Sequence, residues 1–487
     1  MKSFLRKINY SLIIRIIGFL LLVEGIFMFT ALPFTLKYGN LESFAIPLSG
    51  TITIVVGGLM FLLNRKSSRN IGKREGYIIV SFTWILISLF GALPYYISGT
   101  IPNFTDAFFE TISGFTTTGA TILTDIEAMP KDLLYWRSLT QWLGGMGIIV
   151  FTVAILPVLG IGGMALFMAE MPGVTYDKLH PRITASAKRL WGIYVLLTLI
   201  QTLLLWAGEM DFFDAINHAY TTMATGGFST KNESVAPFSS YSQYIIIVFM
   251  ILAGTNFTLH YFALHGKLSR VFKDEEFRGY LTIIGVVSLF IAGGLFLISK
   301  TNPEAAFRDA LFSVVSILTT TGYATANYLM WPTILWMLVF VLMFIGGSAG
   351  STSGGIKIIR QMLLLKNSRM ELKRAFHPNA ILPVRFNKKS VSQDLIYKVM
   401  AFFLMYILIF SMGMIALSAM GLDFQTAVGA SISSLGNIGP AIGKVGPVDN
   451  YAFMPMTAKW LLSFLMLMGR LEIFTVLLLF SPQFWKR

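Results

Sequence analysis

The sequence predicts an all-α, polytopic membrane protein in which two N-terminal transmembrane helices precede four tandem repeats in pseudo-four-fold arrangement. Three observations predict this fold: an apolar composition, an uneven distribution of basic residues, and a motif that recurs four times. Of the 487 residues, 55% are hydrophobic and 13% are charged, and the mean hydropathy is +0.69. Soluble domains carry about 25% charged residues. Cysteine is absent, which excludes disulfides, thiolate metal sites and thiol catalysis.

Ten apolar stretches approach the roughly 20 residues that a helix needs to cross a bilayer. The first has a basic start and then runs to about Thr30 without a small-residue cleavage site, so we interpret it as a retained helix. The predicted spans cover residues 12–30, 45–63, 76–98, 136–160, 190–207, 241–265, 280–299, 333–350, 395–420 and 457–480.

The basic residues indicate the orientation of these spans. Of 38 Lys and Arg residues, 29 fall on the side of the N-terminus, 8 fall on the other side, and Arg470 lies inside the last span. By the positive-inside rule, both termini are expected to be cytoplasmic. The net charge of +14 therefore reflects membrane orientation, and nucleic acid is not an expected partner.

A polar motif recurs four times between the apolar stretches. Each copy starts with a polar residue before Ala, continues through about ten mostly apolar residues, and ends in Thr, Ser or Asn with a glycine. Alignment on Gly119, Gly226, Gly322 and Gly439 places this glycine 13, 12, 13 and 13 residues after the opening residue. That opening residue, Asp in three copies and Thr426 in the fourth, is expected to cap a helix. The copies are DAFFETISGFTTTGAT (106–121), DAINHAYTTMATGGFST (214–230), DALFSVVSILTTTGYAT (309–325) and TAVGASISSLGNIGPAIG (426–443).

Each copy is too short to cross the membrane, because about ten residues of helix span only about 15 Å. The polar tail must return to the surface, and irregular backbone at membrane depth has to be buried in protein or line water. Four such tails satisfy this condition if they converge on one axis. The following spans carry Gly145, Gly254, Gly347 and Gly469 at similar offsets, which individually suit helix contacts but recur with the repeat.

The repeats divide the chain into five regions around this axis. Four converging loops can direct backbone carbonyl oxygens inward, where they replace the hydration shell of a monovalent cation. The half-helices point their C-terminal ends, with about half a negative charge each, toward the same axis, which also favours a cation. The regions are two extra helices in 1–75, repeat one in 76–165, repeat two in 185–270, repeat three in 279–366 and repeat four in 394–487.

The motifs TTTGAT, ATGGFST, TTTGYAT, GNIGPA, GGSAGSTSGGIK and MGRLE resemble those of the superfamily of Trk, Ktr and HKT potassium transporters. The resemblance extends from about residue 76 to the end, and the extra N-terminal pair is similar to the TrkH branch. It implies four tandem span–half-helix–filter loop–span pore repeats, with a glycine in the first loop that is associated with potassium selectivity. Gly119 holds that position, whereas NIGPA departs from TTTG in the fourth loop. The implied potassium filter consists of Thr117, Thr118, Gly119, Thr225, Gly226, Thr320, Thr321, Gly322, Asn437, Ile438 and Gly439.

Two features on the cytoplasmic side of the filter suggest a gate. Eight of the ten residues in 346–355 are Gly or Ser, so the second span of repeat three is expected to break there. No Lys directly follows the final glycine, as a phosphate-binding loop requires, but a plain helix kink stays an alternative. Arg470 either pairs within the helix wall or contacts this loop as an electrostatic barrier. The resemblance implies a gate made of Gly346, Gly347, Ser348, Ala349, Gly350, Ser351, Thr352, Ser353, Gly354, Gly355 and Arg470.

The resemblance also implies a cargo and partners. It implies potassium as the transported substrate, no organic cofactor in this chain, and a homodimer in the inner membrane of a prokaryote. The basic segment 351–398 is expected to dock cytosolic TrkA-type nucleotide-binding regulatory subunits, to contact anionic lipid, or only to orient the chain. Repeats of equal orientation favour a channel-like protein, and a secondary transporter that couples potassium to protons or sodium is the alternative. No enzyme is expected, because the spans show no nucleophile–base pair, metal motif or carboxylate dyad.

Overall fold

The computed structural model describes residues 8–38, 44–67, 72–147, 183–377, 379–380 and 382–486. The end of the span expected over 136–160, and of repeat one as far as 165, lies outside the described residues. Six described helices are long and apolar enough to cross a membrane, and two bent helix pairs meet the same criterion when each pair is taken together. The six are Tyr10–Tyr38, Ala45–Leu63, Arg74–Ile97, Lys188–Trp206, Glu275–Leu297 and Gln393–Ala419.

The two N-terminal helices pack through glycines. A Cβ atom added to Gly18 would lie 2.7 Å from the carbonyl oxygen of Gly57, and one added to Gly57 would lie 2.7 Å from that of Gly18. Backbones of membrane helices often approach this closely at small residues, because no hydrophobic effect drives their association in lipid. The pair comprises Tyr10–Met28, a 3-10 turn Phe29–Ala31 and Leu32–Tyr38, followed by Ala45–Leu63.

Each repeat opens with a long helix on the outside of the molecule. In repeats two to four these helices expose large apolar side chains such as Leu289 and Ile415, whereas the helix of repeat one is 61% buried within the protein. They are Lys73–Gly91 with its extension Leu93–Ile97, Ile183–Trp206, Glu275–Leu297 and Gln393–Ala419.

A short buried helix follows in every repeat, and we call these elements half-helices one to four. Their N-caps are Asn103, Asp211, Asn302 and Asp423, each of which accepts a hydrogen bond from a backbone N–H in the first turn. The expectation that the Asp of each motif and Thr426 are the N-caps is therefore wrong, because the helices begin earlier. The half-helices are Phe104–Phe115, Phe212–Met223, Pro303–Leu318 and Phe424–Gly436.

The second helix of each repeat is interrupted at its glycines. The spans expected over 241–265 and 457–480 are not straight, since their helix pairs bend by 102° and 117°. The breaks occur where the helix passes the end of a half-helix: a Cβ atom at Gly144 would overlap the Phe115 carbonyl, and one at Gly469 would overlap that of Leu435. The second helices are Lys131–Trp142 with a π-turn Leu143–Gly147, Ser240–Ala253 with Phe257–Leu264, Thr333–Leu342 with Ile358–Phe376, and Met456–Arg470 with Phe474–Phe480.

The remaining elements are short. An antiparallel hairpin joins Arg385–Phe386 to Lys389–Ser390, and its Phe386 packs in a small separate core with Ile359, Leu363 and Ile396. The others are the helices Leu268–Lys273 and Pro482–Trp485 and the 3-10 turns Tyr328–Met330 and Gly443–Val445.

Candidate ion-conduction site

All four half-helices end in the same hydrogen-bonded turn. In half-helix one, Thr117 N donates to Gly114 O and Thr118 N donates to Ser113 O, both at 2.9 Å. This pair of bonds is the Schellman motif, which needs a left-handed residue just past the helix. The corresponding donors are Thr225 and Gly226, Thr320 and Thr321, and Asn437 and Ile438.

The left-handed position is occupied by Thr117, Thr225, Thr320 and Asn437, with φ between 53° and 56°. Glycine is the usual residue there, and a β-branched residue in this region is a genuine outlier. Such strain persists only where the surrounding structure over-determines it, and it clusters at functional sites. Three loops carry this strain at Thr, and the fourth has Asn, which tolerates the left-handed region; the same backbone conformation in all four marks the loops as one functional unit.

Two residues further on, a glycine in each loop contacts the next loop. Gly119, Gly227, Gly322 and Gly439 have φ of 82°, 76°, 82° and 97°. A Cβ atom on any of them would come too close to a carbonyl oxygen of the neighbouring loop, which for Gly439 is Thr118 O at 2.7 Å. The other three partners are Gly226 O for Gly119, Thr321 O for Gly227 and Ile438 O for Gly322. These four contacts, which we call the glycine ring, run from loop to loop and close on themselves.

The glycine ring corrects the sequence alignment of repeat two. Gly227 has the positive φ and the position of Gly119, whereas Gly226 supplies the carbonyl equivalent to that of Thr118. Alignment on Gly227 also makes the spacing from Asp214 equal to 13 residues, as in the other repeats. Two adjacent glycines made the sequence ambiguous, and only the backbone conformation distinguishes them.

A vestibule of about 140 Å³ lies against the glycine ring and is lined by all four of its glycines. At its rim, two contacts join the segments that follow loops one and two. Lys231 Nζ lies 3.1 Å from Glu127 Oε1, and this hydrogen bond raises the pKa of Lys231. The side chain of Asn232 donates to Asp125 and lowers the pKa of that carboxyl. One ion pair and one amide–carboxylate hydrogen bond thus connect the two segments at the rim.

Loops one and two are supported by charged and amide side chains. Glu110 of half-helix one is buried and accepts from Thr121 Oγ1 and Ile122 N at 2.9 Å. Gln141 of the following helix donates from Nε2 to Gly226 O at 2.7 Å, and its Oε1 accepts from Phe228 N at 3.1 Å. These side chains fix the backbone on both sides of the glycine ring.

Loops three and four are supported mainly by hydroxyl groups. Tyr451 Oη donates to Gly439 O at 2.7 Å, and Ser433 Oγ donates to the same oxygen at 2.6 Å. Tyr323 Oη bonds to Thr221 of half-helix two. The side chain of Asn437 reaches across to Thr118 Oγ1 at 3.0 Å, which links loop four to loop one.

The Gly/Ser segment contacts the filter from the side opposite to the vestibule. Its residues 343–357 are non-helical, and Gly354 N donates to Thr320 Oγ1 at 2.7 Å. A Cβ atom at Gly354 would lie 2.9 Å from the Cβ atom of Asn437. Ser348 N donates to Gly254 O at 2.9 Å, which ties the segment to the break of repeat two. We call residues 343–357 the gate loop.

Arg470 joins the gate loop to repeat one. It is the last residue of its helix, and its guanidinium donates to Thr352 O at 2.9 Å, to Gly145 O at 2.8 Å and to Gly144 O. Arginine suits this site because its planar fork can serve several acceptors at once. The structure thus places Arg470 on carbonyl groups, of the loop as well as of the helix wall.

Further charges surround the gate loop. Glu276 Oε1 accepts from Ala349 N at 2.7 Å and from Ile359 N at 3.3 Å. Arg360 pairs with Glu472, just past the break in the last helix. Lys357 donates to Ser353, inside the loop itself. The loop is therefore held by a network of polar and charged groups from repeats three and four.

The structure brings together most of the residues that the sequence pattern selected. Thr117 to Gly119, Thr225, Gly226, Thr320 to Gly322 and Asn437 to Gly439 meet at the ring, and Thr352, Gly354 and Arg470 meet beside it. Gly227, Glu110 and Gln141 are not among the residues that the sequence pattern predicts for the site. Glu110 was detectable as an acidic residue inside an apolar half-helix, while Gln141 carried no signal.

The comparisons with known proteins agree with this geometry. The family model TrkH, described as cation transport protein, matches residues 42–487. The chain belongs to this family, which confirms the resemblance seen in the sequence and a fold class of helical membrane proteins with pore repeats. The family is one of cation transporters and not of enzymes.

Individual relatives match over almost the whole chain. The Trk system potassium uptake protein TrkH of Halomonas elongata is 41% identical over 485 residues, covering 98% of this chain and 100% of the relative. The TrkH of Escherichia coli strain K12 is 40% identical with the same coverage. The crystal structure of the potassium transporter TrkH from Vibrio parahaemolyticus has 38% identity and a TM-score of 0.88, covering 98% of this chain and 100% of that one.

Proposed function

We propose that this chain is the potassium-conducting transmembrane subunit of a Trk-type uptake system. The observation that carries the proposal is the glycine ring, in which four equivalent loops close around one axis through glycine–carbonyl contacts. Carbonyl oxygens in such a ring can replace the hydration shell of a monovalent cation. The potassium uptake activity named for the relatives supports potassium as that cation.

In this proposal, the filter is formed by the backbone from Thr117, Thr225, Thr320 and Asn437 to the glycine two residues later in each loop. The C-terminal ends of the four half-helices face the ring and contribute partial negative charge, which stabilises a cation at its inner side. The tight contacts at the four glycines keep the carbonyl groups in fixed positions, and a fixed ring can discriminate between ions of different hydration.

The gate loop and Arg470 form the gate of this proposal. The loop lies against the inner side of the filter. Arg470 holds it there by donating hydrogen bonds to Thr352 O of the loop and to Gly145 O of repeat one. A positive charge at this point also repels cations. Opening requires the loop and Arg470 to separate, which breaks hydrogen bonds without changing the glycine ring.

The remaining assignments follow the TrkH family. The protein resides in the inner membrane of a prokaryote with both termini in the cytoplasm, as the 29 basic residues on that side support. It forms a homodimer and docks TrkA-type nucleotide-binding subunits on the face built by 351–398. The long basic helix Ile358–Phe376, which follows the gate loop directly, would transmit their movement to the gate.

Purified protein in liposomes tests this proposal. We expect a potassium gradient alone to drive a current whose reversal potential follows potassium. A current that requires a proton or sodium gradient would instead establish the secondary transporter, and liposomes without protein provide the control. The absence of any potassium-dependent current in the presence of its regulatory subunits would refute both functions.

A further inference from the structure

A second ring of hydrogen bonds lies two residues beyond the glycine ring, at Thr121, Ser229, Ala324 and Ala441. The carbonyl oxygen of each of these residues accepts a hydrogen bond from the preceding repeat. The four donors are Arg137 Nη1 to Ser229 O at 3.0 Å, Val235 N to Ala324 O at 3.1 Å, Tyr328 Oη to Ala441 O at 2.7 Å and Tyr451 N to Thr121 O at 2.8 Å. We call these four bonds the outer ring.

The link from repeat one to repeat two is the charged one. Two of the other donors are backbone N–H groups and one is a tyrosine hydroxyl. Arg137 is buried, and its Nε lies 2.7 Å from Glu110 Oε1, which is buried as well. The guanidinium also lies over the ring of Phe228, 3.5 Å from its centroid. Arg137 therefore holds loop two from a fixed position.

Glu110 completes the link on the side of loop one. Its carboxylate accepts from the hydroxyl of Thr121 and from Ile122 N. Thr121 and Ser229 occupy the same position in their loops, so the Glu110–Arg137 pair joins equivalent points of adjacent filters. The corresponding residues of the other half-helices are His218, Ser313 and Ala430, none of which is acidic.

We infer that the Glu110–Arg137 pair is a positioning element that sets the spacing of filter loops one and two, and thereby the discrimination between potassium and sodium. The inference rests on the proposed function. A buried ion pair is costly to desolvate and contributes little to stability compared with apolar packing, so its presence calls for another explanation. The rigid guanidinium bonds Glu110 through Nε and Ser229 O through Nη1, while Glu110 bonds Ile122 N, so the pair orients two backbone segments at once, which apolar side chains cannot do.

Bi-ionic reversal potentials of the full-length protein in lipid bilayers test the inference. We expect Arg137→Gln and the near-isosteric Glu110→Gln each to reduce the potassium-to-sodium permeability ratio about tenfold, which corresponds to about 1.4 kcal/mol. Arg137→Lys keeps the positive charge but lacks the planar guanidinium. We expect it to be more thermally stable than Arg137→Gln while its permeability ratio stays reduced.

Two control variants separate the outer ring from ion pairs in general. Tyr328→Phe removes a neutral link of the same ring, and we expect a decrease of roughly threefold, smaller than for Arg137→Gln because no charge is left unpaired. Lys398→Gln breaks an exposed ion pair with Asp394 in the first turns of the outer helix Gln393–Ala419, and we expect an unchanged ratio.

The direction of the changes distinguishes positioning from a purely electrostatic effect. Arg137→Gln leaves a negative charge beside the vestibule and Glu110→Gln leaves a positive one. A role through charge alone would therefore move the single-channel conductance in opposite directions and leave the permeability ratio of both variants unchanged, which would overturn the inference. Folded variants with wild-type selectivity and only a lower melting temperature would overturn it too. If the wild-type protein itself shows no preference for potassium, the proposed function fails, and not only this inference.

Discussion

The proposed filter and the gate loop are in contact, yet they are built on different principles. The filter takes one equivalent piece from each repeat: a half-helix, a Schellman turn and a glycine against the next loop. The gate takes one loop from repeat three and one arginine from repeat four. Under the proposed function, the repeats stay alike where an ion would be surrounded on four sides and have diverged where a single obstruction would be enough.

This difference predicts separate effects of substitution. A change in the filter distorts a closed ring, so it alters which ion passes. A change in the gate weakens the obstruction but leaves the glycine ring intact, so it alters the ion flux without altering the ion selectivity. The following predictions test that separation, in order of decreasing expected effect.

The largest effect is expected at Gly227. Ala at this position would place its Cβ atom against Thr321 O in a left-handed conformation, which costs about 1–2 kcal/mol before the overlap is counted. We expect Gly227→Ala to reduce the potassium-to-sodium permeability ratio about a hundredfold, as measured by bi-ionic reversal potentials. Gly226→Ala is the matched comparison: its Cβ atom would displace the amide of Gln141, the end of a flexible side chain that supports loop two, and not a carbonyl of the glycine ring, so we expect a smaller loss. An equal or larger loss in Gly226→Ala would contradict the corrected alignment.

Gly119→Ser is expected to follow. The added side chain would displace the carbonyl group of Gly226, which belongs to the glycine ring. We expect selectivity to decrease about thirtyfold while the protein remains folded, because the half-helix and its Schellman bonds lie before this residue. Sodium and potassium uptake by liposomes, together with thermal unfolding, measures both quantities. Loss of the fold with intact selectivity in the remaining protein would refute the assignment.

Arg470→Ala is expected to act on the gate alone. The substitution removes the bonds to Thr352 O, Gly144 O and Gly145 O and the positive charge at the same point. We expect the flux without regulatory subunits to rise about tenfold, with an unchanged potassium-to-sodium ratio. Rubidium uptake into liposomes measures the flux. Lys398→Gln, at an exposed ion pair with Asp394, provides the control. An altered ratio would show that gate and filter are not separate.

The smallest effect is expected where the two regions meet. Thr320→Val removes the hydroxyl that accepts from Gly354 N while preserving the shape of the side chain. A single neutral hydrogen bond contributes about 1 kcal/mol, so we expect the closed-state flux to rise about fivefold. Thr320→Ser retains the hydroxyl and should behave like the wild type in the same uptake assay. Equal fluxes for Val and Ser would show that this bond does not stabilise the closed loop.

The fold could be predicted because three sequence patterns indicate it: the length of the apolar stretches, the distribution of basic residues and the recurring motif. Four recurring motifs sufficed to predict half-helices and converging loops, since half a membrane thickness leaves few alternatives. The helix breaks were less accessible. Residues 241–265 and 457–480 are apolar enough to be straight spans, and they bend because glycines let them pass the ends of the half-helices.

The candidate site was predictable in composition but not in its supports. Thr–Gly sequences predict filter loops. Which of Gly226 and Gly227 corresponds to Gly119 depends on the backbone angle φ, which the amino-acid sequence does not specify. Glu110 and Arg137 are 27 positions apart and meet only in the folded chain. Arg470 stood out as a charge within an apolar span, whereas its three carbonyl partners belong to two other repeats.

The closed glycine ring also has a genetic consequence, because a single reading frame encodes all four of its members. A codon change in a channel made of four identical subunits alters every corner of the ring at once. Here it alters one of the four loops and leaves the other three unchanged. A cell that expresses two alleles would therefore contain only two kinds of pore, each of a single sequence. No ring would combine a defective loop from one allele with intact loops from the other.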